Sequence, residues 1–271
     1  MQIREPDQKI LDCLAEANKR HPELRELLAF YERLFSIQFA FKSTAASQGA
    51  DQDREIKTAL LATGAPQVTF DDLNIKLADF IPLFTQVADI LGAFFPDREK
   101  PHAGVAPELL MLKVRSMYES RKPFIESGAE LSMTDIAAGL SLMPYLQLAG
   151  EAVLMHLPPD TWRQPWCPVC GGMPSFAALA RDSGARSLLC SRCSSVWHYD
   201  RLGCPFCEAD KELYYYISDD ERYRLYVCDA CRRYLKTIDL RATEAAVCLP
   251  VESLITIAMD IAAREKGYHH C

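Results

Sequence analysis

The sequence predicts an α+β fold: an N-terminal all-α helical domain, two tandem four-cysteine metal modules built from short strands, and a C-terminal helix. Three observations predict it. Apolar residues recur at helical spacing to about residue 157. Four Cys-x-x-Cys pairs then crowd between Cys167 and Cys231, among short β-branched and aromatic runs. Helical spacing returns after Pro250. The expected divisions are 1–160 for the helical domain, 161–203 and 204–243 for the two modules, and 244–271 for the last helix and tail.

Ile10, Leu11, Leu14 and Ala17 share one helical side, and Leu24, Leu27, Leu28, Tyr31, Leu34 and Phe35 another. Pro22 stands where a first helical turn tolerates it. Thr69 and Asp71 flank the start of a long run bearing Leu73, Leu77, Phe80, Ile81, Phe84, Val87 and Leu91, which Pro82 should kink or split. A polar loop from Pro96 to Pro107 precedes a helix over Leu109–Tyr118. Ser132 or Thr134 caps a segment that is apolar all round to about Leu157, the pattern of a buried central helix. The longest uncharged stretch, Ile136 to Gly150, has fifteen residues and contains Pro144. A spanning helix needs roughly 20, so no membrane insertion is expected. MQIREPDQK at the N-terminus has no apolar run behind it, so no export signal is expected either.

The prolines of Leu157–Trp166 stop the helices. Strands are predicted over Arg186–Leu189, Val196–Tyr199, Leu213–Ile217, Arg222–Val227 and Tyr234–Ile238. Pro250 opens the last helix, Leu254, Ile255, Ile257, Ala258 and Ile261 form its apolar side, and Gly267 ends it.

Each cysteine block reads C-x2-C-x19/20-C-x2-C, the spacing of a tetrathiolate metal site. The expected grouping is Cys167, Cys170, Cys190 and Cys193 around one ion, and Cys204, Cys207, Cys228 and Cys231 around another. An interleaved cross-brace is the alternative. The blocks are an internal repeat, which argues against interleaving: Cys167-Pro-Val-Cys matches Cys204-Pro-Phe-Cys, and Arg186-Ser-Leu-Leu-Cys matches Arg224-Leu-Tyr-Val-Cys. In each knuckle the amides after the first Cys point at its thiolate. Gly171 supplies the positive φ that such a turn often needs, whereas Ser194, Glu208 and Arg232 must accept strain or use another turn. Closed four-cysteine ribbons most often hold zinc, but the same ligand set holds iron in rubredoxin, and thiolate softness admits either ion.

Composition bounds the function. Eleven cysteines without an expected export signal read as cytosolic metal ligands rather than disulfides, and Cys13, Cys248 and Cys271 are left over. The formal net charge is −7, and two tetrathiolate sites with divalent ions would take it to about −11. Within 160–240, eleven Lys and Arg face eleven Asp and Glu, so a nucleic-acid role has little electrostatic support. No phosphate-binding glycine loop and no nucleophile elbow appear, and no catalytic residue is assigned. His198, and His269 with His270 and Cys271, are weaker metal or partner candidates. Glu151 and His156 lie five apart, off a shared helical face.

The stretch from Trp162 to Lys236 resembles the FdhE family of formate dehydrogenase accessory proteins. The residues that carry the resemblance are Trp166-Cys-Pro-Val-Cys-Gly-Gly-Met-Pro, the Gly184-to-Cys193 run, Trp197-His198, Arg201-x-x-Cys204-x-x-Cys207, and Cys228-Asp229-x-Cys231-x-x-Tyr234-Leu235-Lys236. The resemblance implies a non-catalytic, cytoplasmic, chaperone-like maturation protein that contacts the catalytic subunit of formate dehydrogenase. It also implies rubredoxin-like iron at one site or both, with zinc the alternative. Trp197, His198, Arg201, Arg232, Arg233 and Tyr234 are the expected partner contacts, because Trp, Tyr and Arg anchor interfaces disproportionately. A rubredoxin-like electron carrier and a zinc-ribbon interaction scaffold are the alternative readings.

Overall fold

The computed structural model describes residues 3–49, 54–101, 104–124, 131–158 and 160–270. Its helices are α1 (Glu5–Arg20), α2 (Arg25–Ser47), α3 (Thr58–Ala62), α4 (Leu77–Phe94), α5 (Pro107–Glu119), α6 (Met133–His156), α7 (Leu249–Ile255) and α8 (Ile257–Glu265). The chain divides into two compact units, one of Met1–Ile56 and Val68–His156, the other of Lys57–Gln67 and Leu157–Cys271.

In the first unit α6 packs against α2, α4 and α5. Its side chains are buried around its whole circumference, as its all-apolar pattern demands. Its N-terminus is closed reciprocally: the Asp135 N–H donates to Ser132 Oγ at 3.1 Å, and the Ser132 N–H donates to Asp135 Oδ2 at 3.1 Å. Gly139 lets a neighbour approach, since a Cβ there would lie 2.6 Å from Phe124 Cβ. One expectation needs correction. The run after Thr69 is not helical from its start: Asp71–Leu73 makes a single 3-10 turn, and Asn74, at φ 46°, breaks it before α4 begins. Pro82, early in α4, does not split the helix. By length and composition α4 could cross a membrane, yet Phe80, Leu83, Phe84, Val87 and Leu91 are buried.

The second unit is built on a six-stranded sheet ordered β3-β2-β1-β6-β5-β4. Its strands are β1 (Pro174–Leu179), β2 (Arg186–Cys190), β3 (Val196–Tyr199), β4 (Leu213–Ile217), β5 (Tyr223–Cys228) and β6 (Arg233–Asp239). Each cysteine block supplies an antiparallel trio, β1–β2–β3 or β4–β5–β6. The trios join head to tail, because β1 pairs with β6 in parallel, Phe176 opposite Lys236 and Ala178 opposite Ile238. Strand β1 is absent from the sequence expectation. Its Pro174-Ser-Phe-Ala-Ala-Leu carries little β propensity, and its position between β2 and β6 makes it a strand.

Helices α7 and α8 lie on the sheet through two apolar clusters. Phe176, Ala178, Leu189, Tyr223 and Ile238 pack with Leu249 and Met259; Leu225, Val227 and Tyr234 pack with Ala263 and Tyr268. The single C-terminal helix expected from the sequence is therefore two. Thr256 breaks it, with φ −91° and ψ 22°, while its hydroxyl donates to the Glu252 carbonyl at 2.8 Å. The segment 57–67 lies against the first knuckle: Gln67 N–H donates to Pro168 O at 2.8 Å and Trp166 Nε1 to Gly64 O at 3.0 Å.

Candidate metal centres

Each block closes on itself. Strand β2 delivers Cys190 opposite the knuckle of Cys167 and Cys170, and β5 delivers Cys228 opposite the knuckle of Cys204 and Cys207. Within each group of four, all sulfurs lie within 4.8 Å of one another. In the first, Cys167–Cys193 and Cys170–Cys190 are 3.5 Å apart and Cys170–Cys193 3.6 Å. In the second, Cys204–Cys231 is 3.8 Å and Cys207–Cys228 is 3.7 Å. A metal–sulfur bond of about 2.3 Å gives a tetrahedron with edges of about 3.8 Å, whereas a disulfide needs about 2.05 Å. Both groups have the dimensions of a tetrathiolate cage.

The knuckles share one backbone solution. The residue after the second cysteine is left-handed in all four: Gly171 at φ 69°, Ser194 at 57°, Glu208 at 61° and Arg232 at 57°. Three non-glycine residues thus accept a conformation that costs about 1–2 kcal/mol each, which the turn repeats because it aims amides at sulfur. Val169 N–H reaches Cys167 Sγ and Arg192 N–H reaches Cys190 Sγ, each at 3.4 Å.

The thiols resist ionising together. Burial pushes Cys167 and Cys193 well up. Burial opposes Cys170 as well, yet S–H donors from its three neighbours and the charge of Arg192 bring it well below the usual thiol range. In the second group burial raises Cys204 to about 11, while Cys207 is lowered against its own burial by the Ala209 N–H and neighbouring thiols. A divalent cation is what would allow all four to be thiolates at once.

A family model, FdhE, central domain, matches residues 166–201. An FdhE homolog from Aquifex aeolicus is 25% identical over 264 residues, 95% of this chain and 90% of the relative. One from Pseudomonas aeruginosa is 31% identical over 219 residues, 76% of this chain and 69% of the relative. The chain belongs to the FdhE family. Several other FdhE homologs match over about half of their own length. The crystal structure of the FdhE protein from Pseudomonas aeruginosa has the same fold, with a TM-score of 0.59, 23% identity, and coverage of 96% of this chain and 91% of that one.

In this FdhE-family chain the two cages differ in their surroundings. All four cysteines of the first are buried, whereas Cys207 of the second is exposed and Cys231 half-buried. The first also has Arg192, fully buried inside its second knuckle, where the repeat has Ala230. A cation beside a buried tetrathiolate dianion offsets charge that solvent would otherwise screen. Sequence reading missed Arg192, since nothing in Cys190-Ser-Arg-Cys says that the arginine points inward. Gly172 makes room for it: a Cβ there would lie 2.8 Å from Arg192 Cδ and 3.0 Å from Cys190 Sγ. We predict that Gly172→Ala costs about 1–3 kcal/mol, and that competition with a chromophoric chelator strips one ion per chain earlier than in the parent. Simultaneous loss of both ions at the parental rate would show that the pocket yields without strain.

The six expected partner contacts divide. Trp197 is buried, its Nε1 donating to Gln164 O at 3.0 Å, and Tyr234 is buried, its hydroxyl donating to Asp260 Oδ1 at 2.8 Å. Buried rings with satisfied polar tips cannot anchor a partner, so these two leave the set. His198, Arg201 and Arg232 are exposed and Arg233 is half-buried. Arg232 holds Asp229 at 2.7 Å and Arg233 lies over Phe206. His269 pairs its backbone with Arg232 and Tyr234, and the His270 ring packs on Tyr234, so neither joins a cysteine group. Cys271 lies outside the described residues. Glu151 serves an ion-pair network with Lys42 and Arg4.

Proposed function

We propose that this chain is a metal-binding maturation protein for formate dehydrogenase, and that it binds the catalytic subunit of that enzyme in the cytoplasm without catalysing a reaction itself. Membership of the FdhE family supports the reading, and the single structural observation behind it is the pair of four-cysteine cages. Cys167, Cys170, Cys190 and Cys193 would hold one ion, and Cys204, Cys207, Cys228 and Cys231 the other. The modules 161–203 and 204–243 are the duplicated halves that close them. Iron is the ion the family resemblance favours, and the cage dimensions suit zinc equally. Bound metal would fix the ends of β2 and β5, and with them the surface that a client meets. His198, Arg201, Arg232 and Arg233 are the remaining contact residues of the expected set. Neither nucleic acid nor membrane enters this proposal.

One observation favours a second reading. Cys207 is exposed, so an ion in the second cage would sit close to solvent, as a rubredoxin-like electron carrier requires. An absorption band that bleaches reversibly on reduction of anaerobically purified protein would support the carrier. A colourless, redox-silent protein with two ions would exclude it.

The test of the main reading is a pull-down of the formate dehydrogenase catalytic subunit by the parent and by a Cys204→Ser, Cys207→Ser variant. The parent should recover the client and the variant should lose at least tenfold. Equal recovery would remove the second cage from recognition, and no recovery by either would sink the reading.

A further inference from the structure

Strand β4 forms one edge of the sheet, and its side chains are open to solvent on both faces. Tyr214, Tyr215, Tyr216 and Ile217 are between 46% and 56% exposed. Its hydrogen-bond register fixes which backbone groups point away from β5. Ser218 N–H donates to Tyr223 O and Asp229 N–H to Glu212 O, both at 3.0 Å, so the even-numbered residues turn inward. Leu213, Tyr215 and Ile217 therefore direct their N–H and C=O groups outward. Folded proteins usually protect such an edge with lysine, proline or a bulge, and β4 has none of the three.

The duplication shows what fits there. Strand β4 holds in the second block the place that β1 holds in the first, and the corresponding edge of β1 is filled by β6 in parallel. That occupant, Arg-Tyr-Leu-Lys-Thr-Ile-Asp, mixes basic with apolar residues. Charge around β4 asks for the same composition. Glu208, Asp210, Glu212, Asp219 and Glu221 flank it, all exposed and outnumbering Lys211 and Arg222 in the same segments, and among the described residues no ion pair holds any of the five acids. The tyrosines already accept cations, with Arg224 4.9 Å from the Tyr215 ring and Lys266 4.9 Å from that of Tyr216.

We propose that β4 is a docking edge for an extended, lysine- or arginine-bearing segment of a partner protein, which adds to the sheet as a seventh strand. The inference deepens the client-binding reading above and rests on it. A second copy is a poorer occupant: β4 against β4 would set acids against acids, and β3 is four residues long with Asp200 beside Arg201. Leu213 pairs with Cys228, so the start of this edge is tied to a ligand of the second cage.

Fluorescence anisotropy of the metal-loaded protein with two labelled octapeptides, alternating Lys-Val and alternating Glu-Val, tests the proposal without any dehydrogenase subunit. Failure of the client pull-down with success here would sink only the earlier reading. The Lys-Val peptide should bind at least tenfold more tightly than Glu-Val, and less tightly as salt rises. Tyr215→Pro removes an outward N–H while leaving the β4–β5 ladder, and should cost at least tenfold. A triple Asp210→Lys, Asp219→Lys, Glu221→Lys variant should lose as much with its fold and metal content intact, whatever becomes of the proline variant. Equal binding of both peptides, or parental binding by the triple variant, would overturn the proposal. Concentration-dependent polymers that Tyr215→Pro abolishes would also overturn it, by placing a second copy on the edge.

Discussion

Replacing Cys190 with Ser is expected to unfold the entire sheet, not only the block that contains it. Cys190 ends β2, and its sulfur lies 3.5 Å from that of Cys170 across the first cage. Structural zinc in such a site contributes about 10–16 kcal/mol to folding, comparable to the whole stability of an ordinary domain. Once the cage opens, β2 loses the anchor that sets its register on β1. Among the described residues, strand β1 is the only connection in the sheet between the two blocks, through its pairing with β6. The second block would then expose the edge of β6 together with Tyr223 and Ile238, which pack against Phe176 of β1. The measurement is unambiguous, because all three tryptophans, Trp162, Trp166 and Trp197, lie in the sheet-bearing unit. Their fluorescence should shift to that of water-exposed indole, both ions should be lost, and far-UV circular dichroism should keep most of its helical signal. Retention of one ion per chain would mean that the second block stands alone. A collapse of helicity would mean that the two units fold as one.

How much of this was legible in the sequence depends on the range of the interaction. The cages were legible because ligand spacing is local: two residues between the cysteines of a knuckle, and a hairpin between knuckles. The repeat also announced that each block closes on itself, and the sulfurs of each block do lie together. Helix α6 was legible because apolar residues all round have one solution, burial. What was not legible is non-local. The parallel pairing of β1 with β6 leaves no pattern in either segment, and β1, with its proline, serine and two alanines, carries little strand signal of its own. The left-handed Ser194, Glu208 and Arg232 were foreseen only as a difficulty, since the turn that demands them is set by the cage and not by their own preferences. Arg192 and Tyr234 fell on opposite sides of the same gap. Arg192 carried no reading in the sequence and is buried beside the first cage; Tyr234 looked like an interface anchor and is buried under α8.

In the helical unit the largest expected effect comes from Lys42. Its side chain is 3% exposed, and its ammonium donates to Asp7 Oδ1 at 2.6 Å and to Glu151 Oε1 at 2.8 Å, tying α1, α2 and α6 together. Arg4 completes the network on Glu151. Lys42→Met keeps the length of the stem and removes the charge, so packing changes little while Asp7, itself 2% exposed, loses the ammonium at 2.6 Å and keeps only the Arg4 guanidinium at 3.8 Å. Breaking a buried pair in this way costs about 3–5 kcal/mol, mostly as the penalty of an uncompensated charge. At about 2–4 °C per kcal/mol for a unit of this size, the helical melting transition should fall by roughly 10–15 °C. A double variant, Lys42→Met with Asp7→Leu, separates charge from packing. Glu151 is 36% exposed and retains Arg4, so removing the stranded Asp7 should recover more than half of the loss. Tryptophan fluorescence should stay parental in both variants, because no tryptophan lies in this unit. Parental melting of the single variant would show that water reaches Asp7 and replaces the ammonium, and the buried network would then contribute little to holding α1 on α2.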